Sequence, residues 1–265
     1  MPFPETKQKI IYRKNPLDRV ICQLRFPPIL KIDTELPVKF QESIRNDFPE
    51  FREKEETMLP IPQKDGQEIP LEMLRNIMST KIKNYEFASE DGLWRINLTR
   101  TFVALTSLKY ERRSQFQQKL ETPMRSLIEI YQPAYFSRIG LRYVDIIKRS
   151  LLNISNVNWS ELLKPYILGL LGSEEVCSDV KSFEAKYEIQ LEDNGGTARV
   201  TTGLVNWEEK SEQCFMIDTD FFITEKTRIE DAESKLDFFH IRASRLIQWL
   251  ITDRLHTAME PEELS

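Results

Sequence analysis

The amino-acid sequence predicts an α+β protein built from two related halves, each with the element order β-α-β-β-β-α. Runs of alternating apolar and polar residues indicate strands, and these runs follow one another as antiparallel meanders separated by helices. The stretches Arg19–Phe26 and Arg138–Asp145 are also similar in sequence, because each contains a Leu-Arg-aromatic triplet among strand-forming residues. We expect residues 1–133 and 134–265 to be two halves of one globular unit. Their curved antiparallel sheet would be packed by long helices in a grip-like or saddle-like arrangement.

The first half is predicted to open with a polar, extended arm over residues 1–16 and then a strand. Apolar side chains occupy every second position of this strand, at Val20, Cys22, Leu24 and Phe26. Pro27 and Pro28 end it, because proline has no N–H to donate to a neighbouring strand. A helix then begins at Pro37 and stops at Pro49.

A charged, irregular connection is predicted from Pro49 to about Pro70. Three strands and one helix complete the first half. The strands are predicted near residues 82–88, 93–99 and 102–110, and the helix runs from an N-cap at Ser114 to about Tyr131, with Pro123 as an interruption.

The second half repeats this order. A strand is predicted over residues 136–148, followed by a helical apolar face over 162–171. Strands at about 182–191 and 199–205 are joined by Asn194-Gly195-Gly196, which has the residues that a tight hairpin turn requires. Another strand covers 213–224. The last element is a long amphipathic helix from about Glu230 to Met259.

Bulk composition narrows the functional classes. The formal net charge of −5 disfavours broad, sequence-independent binding of nucleic acid, which needs a clustered positive surface. Only 8 glycines in 265 residues argue against glycine-rich nucleotide loops. The three cysteines form no C-x-x-C pair and indicate reduced thiols. Because neither a signal peptide nor a membrane span is recognisable, we expect a cytoplasmic protein.

Three segments resemble a sporadically distributed family of uncharacterised prokaryotic proteins of about this length. Asn15–Pro28 resembles the family's opening signature and Phe136–Tyr143 its central one. The C-terminal helix, with His240 and the segment Trp249–Leu255, is similar to the family's ending. The family has no established activity. Its scattered distribution implies a gene that moves between genomes, as accessory, toxin–antitoxin or anti-phage genes do.

Arg25 and Arg142 are the first candidate site residues, because each lies within a predicted strand. Arg142 shares its strand face with Gly140, Val144 and Ile146, so burial of its charge would require an acidic partner or a bound anion. One interpretation makes the two arginines an anion site. The other, which we favour, pairs each with an internal acid.

Asp218 and Asp220 are the second candidate pair. Residues i and i+2 of a strand point to the same face, roughly 7 Å apart, so the two carboxylates could hold Mg²⁺ or act as acid and base. No third ligand is evident, and the same carboxylates would suit Arg142. We therefore favour a structural role for them.

No sequence motif indicates catalysis. His240 and His256 are the only histidines, and their spacing fits no zinc motif. Walker A, G-x-G-x-x-G and G-x-S-x-G patterns are absent from the sequence. We expect no cofactor and favour a non-enzymatic role. The basic clusters Lys109–Arg113 and Lys148–Arg149 are interpreted as solvated strand ends.

The function predicted from the sequence is that of an accessory protein which binds a macromolecular partner, most simply another protein or a second copy of itself. The resemblance places this role in a mobile defence or toxin–antitoxin-type system. The charged 49–70 segment is one candidate contact surface. The final helix is the other, through Phe238, Ile241 and Trp249, which lie off its main apolar stripe.

Two alternatives stay open. The protein could be a sensor of a small molecule or nucleotide that uses Arg25 and Arg142 to clamp an anionic ligand on a concave sheet face. It could also be a metal-dependent nuclease or hydrolase that uses Asp218 and Asp220. A general nucleic-acid partner and a membrane are not expected.

Overall fold

A computed structural model describes residues 3–4, 10–57, 81–192 and 195–263 of the chain. It confirms a mixed α+β protein in which helices accompany antiparallel β-sheet. Two compact units divide the chain. The first unit comprises Met1–Cys22, Arg138–Glu225 and Glu230–Ser265, and the second comprises Gln23–Ser137 and Lys226–Ile229. The boundary falls inside a strand, after Cys22.

The described elements are as follows. The strands are β1 (Ile10–Tyr12), β2 (Leu17–Arg25), β3 (Glu50–Thr57), β4 (Lys81–Ala88), β5 (Trp94–Thr99), β6 (Phe102–Ser107), β7 (Arg138–Ile147), β8 (Glu184–Gln190), β9 (Thr197–Trp207), β10 (Glu212–Ile223) and β11 (Pro261–Glu263). The α-helices are α1 (Lys31–Thr34), α2 (Val38–Ile44), α3 (Arg113–Tyr131), α4 (Trp159–Leu162), α5 (Ala232–Leu250) and α6 (Asp253–Ala258). Short 3₁₀ turns cover Pro165–Ile167, Gly169–Gly172, Glu208–Lys210 and Ile229–Asp231.

The first unit contains an antiparallel sheet with the strand order β7-β10-β9-β8. Helix α5 packs on one face of this sheet, where the ring of Phe239 lies 6.5 Å from that of Phe221. Its predicted apolar stripe is buried throughout. The stripe consists of Ala232, Leu236, Phe239, Ala243, Leu246, Leu250 and Ile251, the last of which directly follows the helix. Burying each of the larger side chains stabilises the fold by roughly 1.5–3 kcal/mol. A separate two-stranded ribbon joins β1 to β11.

The second unit contains an antiparallel sheet in the order β3-β4-β5-β6. Aromatic contacts attach helices to one of its faces: Phe40 of α2 packs on Phe87, and Phe116 of α3 packs on Trp94. Pro123 lies inside α3 and does not begin a second helix, since α3 runs from Arg113 to Tyr131. The core of this unit therefore lies between α2, α3 and the sheet.

Three predicted elements differ from the structure. Residues 50–57 of the predicted 49–70 loop form β3, and the rest of that loop lies outside the described residues. The predicted helical face over 162–171 forms only α4 and two 3₁₀ turns. The predicted final helix stops at Leu250 and resumes as α6.

Two further outcomes concern turns and membranes. The strands β8 and β9 pair with each other as predicted, from Gln190 opposite Thr197 onward, although Asn194 of the predicted turn lies outside the described residues. Within the described part of the chain, every helix is too short or too polar to cross a lipid bilayer.

Candidate functional site

Arg142 lies in the middle of β7 and forms an ion pair with Asp218 of β10. Its Nε donates to Asp218 Oδ1 at 2.7 Å, and its Nη2 donates to Oδ2 of the same carboxylate. The hydrogen bonds that Arg142 donates to Asp218 raise the pKa of its guanidinium above the ordinary value. Its side chain is 47% exposed, so Arg142 does not occupy the apolar setting expected from its neighbours in the sequence.

Arg25 belongs to the second unit and is exposed at the end of β2. Its Nε donates to the side-chain oxygen of Gln23 at 2.9 Å. Arg142 thus pairs with a carboxylate of the neighbouring strand, and Arg25 contacts an amide of its own strand.

Asp220 forms the second carboxylate pair of the sheet, with Arg138. The Arg138 Nη2 donates to both oxygens of Asp220, at 2.9 and 2.8 Å. Gly140 makes this geometry possible, because a Cβ at that position would come within 2.1 Å of the Arg138 Nη1. Sequence reasoning missed Arg138. Gly140, two residues further along the same strand face, could have indicated it, because a glycine inside a strand often marks the close approach of another group.

Asp218 and Asp220 are therefore each held by an arginine. Among the residues that the structure describes, no group of three or more acidic, histidine or cysteine side chains is placed to hold a metal ion. The Arg142–Asp218 pair is bidentate, and together with the Arg138–Asp220 pair it favours specific pairing of β7 with β10.

The three helix residues predicted to contact a partner differ in exposure. Ile241 is 48% exposed, whereas Phe238 and Trp249 are half-buried. The Arg242 guanidinium lies over the Phe238 ring, 3.1 Å from its centroid. Trp249 is stacked on Tyr166 with ring centroids 4.5 Å apart, and Phe3 lies 5.9 Å from it on the described N-terminal segment.

The end of α5 is shaped by contacts with the residues that follow α4. Leu163 and Ile251 form an isolated antiparallel bridge, and the Lys164 N–H donates to Leu250 O at 2.9 Å. The Thr252 hydroxyl donates to Glu161 O at 2.7 Å. These bonds interrupt the helix between Leu250 and α6, and they bring Lys164 beside the helix end.

A cleft of about 420 Å³ opens at this interruption, within the first unit. Its size is within the range of small-molecule sites. The lining combines charged, polar and apolar side chains from β1, the residues after α4, α5 and α6. They are Pro4, Ile10, Lys164, Arg245, Gln248, Trp249, Ile251, Thr252, Asp253 and His256.

The charged groups of this cleft favour an anion. Lys164 and Arg245 contribute two positive charges, and Asp253 contributes one negative charge. His256 adds a ring nitrogen that can donate or accept a hydrogen bond. The stacked pair Trp249–Tyr166 gives the cleft a rigid aromatic border.

His256 is oriented by Tyr12 of β1. The Tyr12 hydroxyl lies 2.9 Å from His256 Nδ1, and the two rings meet edge to face. Burial raises the pKa of Tyr12 to about 12, so its hydroxyl stays protonated at neutral pH. It can then donate to Nδ1 of a neutral imidazole and leave the proton on Nε2.

A second, larger cleft of about 560 Å³ lies beside α6 in the same unit, and Lys14, Arg254 and Glu260 of its lining form ion pairs. Lys14 binds Glu260 at 2.7 Å, and Arg254 binds Glu161. A ligand would have to compete with these pairs. The cleft bordered by Trp249 has an aromatic side chain in its lining, which the described lining of the larger cleft lacks, and it is the candidate site considered below.

In comparisons with known proteins, no protein family model and no curated protein matches the chain. The family resemblance of the three sequence segments stays a prediction.

Proposed function

We propose that this protein binds a small organic anion in the cleft at the end of α5. The observation that carries the proposal is the convergence of Lys164, Arg245 and His256 on one cleft, in which Asp253 is the one carboxylate among the lining residues that the structure describes. This agrees with the anionic-ligand alternative from the sequence, but it uses other residues than Arg25 and Arg142.

The chemistry of the lining defines the ligand further. A carboxylate or phosphate group would be held by charge-assisted hydrogen bonds from Lys164 and Arg245, which are stronger than bonds between neutral groups. The aromatic border at Trp249 and the apolar side chains of Ile10 and Ile251 would contact a hydrocarbon or ring portion. The ligand is thus a compact molecule with one anionic end and one apolar end.

Binding without turnover is the proposed activity. Lys164 and Arg245 supply positive charge, and the Nδ1 of His256 is engaged by Tyr12. These groups can orient and recognise an anion. A non-catalytic role also agrees with the sequence-based expectation.

Isothermal titration calorimetry with a panel of small anions tests the proposal. The panel should include aliphatic and aromatic carboxylates and mononucleotides, and the variant is Lys164→Gln. Losing one charged hydrogen bond should weaken the best ligand by about tenfold. Lys186→Gln, an exposed lysine on β8 that does not line the cleft, is the matched control. Equal affinity for wild type and Lys164→Gln would contradict the proposal.

A protein partner is the second proposed role, and the exposure of Ile241 favours it. A side chain of this size that is 48% exposed on a helix can contribute apolar area to an interface. Affinity purification from the source cell should recover a partner with the wild-type chain and lose it with Ile241→Lys. Recovery of the same partner with both the wild-type chain and Ile241→Lys would show that the partner does not bind through Ile241. Membership of a mobile defence or toxin–antitoxin-type system stays a prediction.

We also propose that the chain arose by duplication of one unit and forms a curved, grip-like or saddle-like sheet. The support is that each unit has a four-stranded antiparallel sheet followed by a 19-residue helix, α3 or α5. Small-angle X-ray scattering of the whole protein tests the curved shape, because a flat assembly would have a larger maximum dimension.

A further inference from the structure

The strand β8 lies at one edge of the sheet in the first unit, whose strand order is β7-β10-β9-β8. Two backbone hydrogen bonds show which of its residues face outward: the Leu191 N–H donates to Gly196 O, and the Leu204 N–H donates to Phe183 O. Because bonded and non-bonded pairs alternate along antiparallel strands, the odd-numbered residues of β8 bond to β9. The backbone N–H and C=O groups of the even-numbered residues therefore point toward the open edge. These residues are Glu184, Lys186, Glu188 and Gln190.

The side chains of β8 leave apolar area uncovered at this edge. Tyr187 and Ile189 stand opposite Val200 and Ala198 of β9, which are buried on the sheet face that α5 covers. Tyr187 is nevertheless 40% exposed, because β8 is the last strand of this order. A strand edge with exposed apolar side chains is a template for pairing with another strand.

The edge strand β3 of the second unit is protected against such pairing, and β8 is not. Six of the eight residues of β3, EFREKEET, are charged, and four of these are glutamates. An excess of one charge on an edge strand opposes contact with another strand. The sequence of β8, EAKYEIQ, has three charged residues among seven and contains neither proline nor glycine. Of these two edges, β8 is therefore the one that admits a further strand.

The sequence of β8 is complementary to itself when two copies run antiparallel. With Tyr187 opposite Tyr187 of a second copy, Lys186 lies opposite Glu188, and Ala185 lies opposite Ile189. This register joins opposite charges, joins apolar side chains, and sets the outward-facing even-numbered residues opposite one another, as the hydrogen bonding requires. A register centred on Lys186 or on Glu188 would set two like charges directly opposite each other, which is destabilising.

We propose that two copies of this protein associate through antiparallel pairing of their β8 strands, with Tyr187 on the two-fold axis. A two-fold interface uses the same patch on both copies, so it requires a self-complementary surface. Arg199 Nε and Nη2 both donate to Glu188 Oε1, at 3.0 and 2.9 Å, and hold this carboxylate in place. Lys186 is exposed, forms no ion pair within the described part of the chain, and reaches Glu188 of the second copy.

Charge exchange between two variants tests this pairing. Between identical chains, Lys186→Glu sets two glutamates opposite each other, and Glu188→Lys sets two lysines opposite each other. Each variant alone should therefore dimerise at least about tenfold more weakly than wild type. An equimolar mixture of the two variants restores opposite charges at both pairs and should regain the dimer. Sedimentation equilibrium detects the dimer as a species of twice the 31.3 kDa of one chain.

Lys39→Glu, which makes the same charge change on the exposed surface of α2, is the matched control and should dimerise like wild type. Circular dichroism establishes that each variant is folded. A wild-type protein that stays monomeric at its highest soluble concentration would overturn the proposal. So would a mixture that is no more dimeric than its two components.

A disulfide supplies a second readout that changes no charge. Residues of a non-hydrogen-bonded antiparallel pair have Cα atoms about 4.5 Å apart, which a disulfide can span. Tyr187→Cys should therefore give a covalent dimer on mild oxidation, in a Cys177→Ser background that removes the one natural thiol that is not buried. Lys186→Cys, which would face Glu188 of the second copy, should cross-link less. Equal cross-linking of the two variants would contradict the register.

Dimerisation is distinguishable from ligand binding in the cleft at α5, because no residue of β8 is among the described residues that line that cleft. Lys164→Gln should leave the dimer unchanged, and Lys186→Gln should leave the affinity for the small anion unchanged. A monomeric protein that still binds the anion would overturn the β8 interface alone.

Discussion

Asp145 is the most strongly perturbed carboxyl group of the first unit and allows a quantitative test. It shares a face of β7 with Tyr143 and Ile147, and all three side chains are buried. Burial, and secondarily the negative charge of Asp218, raises the pKa of Asp145 from 3.8 to about 7. The folded protein therefore holds this proton more tightly than the unfolded chain.

The sign of the pH effect follows from this difference. The raised pKa of Asp145 contributes stability that is fully present below about pH 4 and is lost as the pH rises to about 7. Each pKa unit corresponds to about 1.4 kcal/mol, so the loss has an upper bound of about 4 kcal/mol. Asp145→Asn removes the titration and should remove the loss.

Urea unfolding of both proteins between pH 4 and pH 8, followed by circular dichroism, measures the effect. The free energy of unfolding of Asp145→Asn should rise relative to wild type across this range, by as much as about 4 kcal/mol. Asp179→Asn, at an exposed loop position, is the control and should give a constant difference. Parallel curves for Asp145→Asn and wild type would refute the assignment of a raised pKa to this carboxyl group.

Three further substitutions test the site and its supports. Gly140→Ala should displace the Arg138 guanidinium and lower the free energy of unfolding by about 1–3 kcal/mol, as measured by urea denaturation. Tyr12→Phe removes the hydroxyl beside His256 Nδ1, so ¹⁵N NMR should show a smaller population of the Nε2–H tautomer. Thr252→Ala removes the N-cap of α6 and the bond to the preceding segment, and should cost about 1 kcal/mol in the same denaturation assay.

Controls for these substitutions lie in the same unit. Gly172→Ala would place a Cβ 3.6 Å from its nearest neighbour and should be tolerated. Thr257→Ala changes an exposed threonine of α6 and should have little effect on stability. A Gly140→Ala protein as stable as wild type, or an unchanged tautomer ratio in Tyr12→Phe, would contradict the roles given to Arg138 and Tyr12.

Periodicity predicted the elements that have one buried face. The helix α5 carries an apolar residue at every third or fourth position and buries that stripe. The strand β8 could also be recognised because its sequence alternates apolar and polar residues, although Tyr187, predicted to point inward, is 40% exposed. The strand β3 could not, because its sequence EFREKEET has one large apolar residue and reads as a solvated segment. Its antiparallel pairing with β4 in the structure identifies these residues as a strand, which the local sequence does not.

Long-range contacts explain what was missed at the cleft. The helix break after Leu250 contains neither glycine nor proline, and it depends on bonds to residues 161–164. Lys164 and Arg245 are far apart in the chain, so no local spacing relates them. Of the cleft residues, Trp249 was the one predicted to form part of a binding surface, because it lies off the apolar stripe of the helix.

The most direct test of anion binding in the cleft is a crystal structure of the protein with its tightest-binding small carboxylate or phosphate. We predict that the anionic group lies within hydrogen-bond distance of Lys164 Nζ, with the rest of the ligand against Trp249. An empty cleft under saturating ligand, or a ligand bound elsewhere on the chain, would contradict the proposed function.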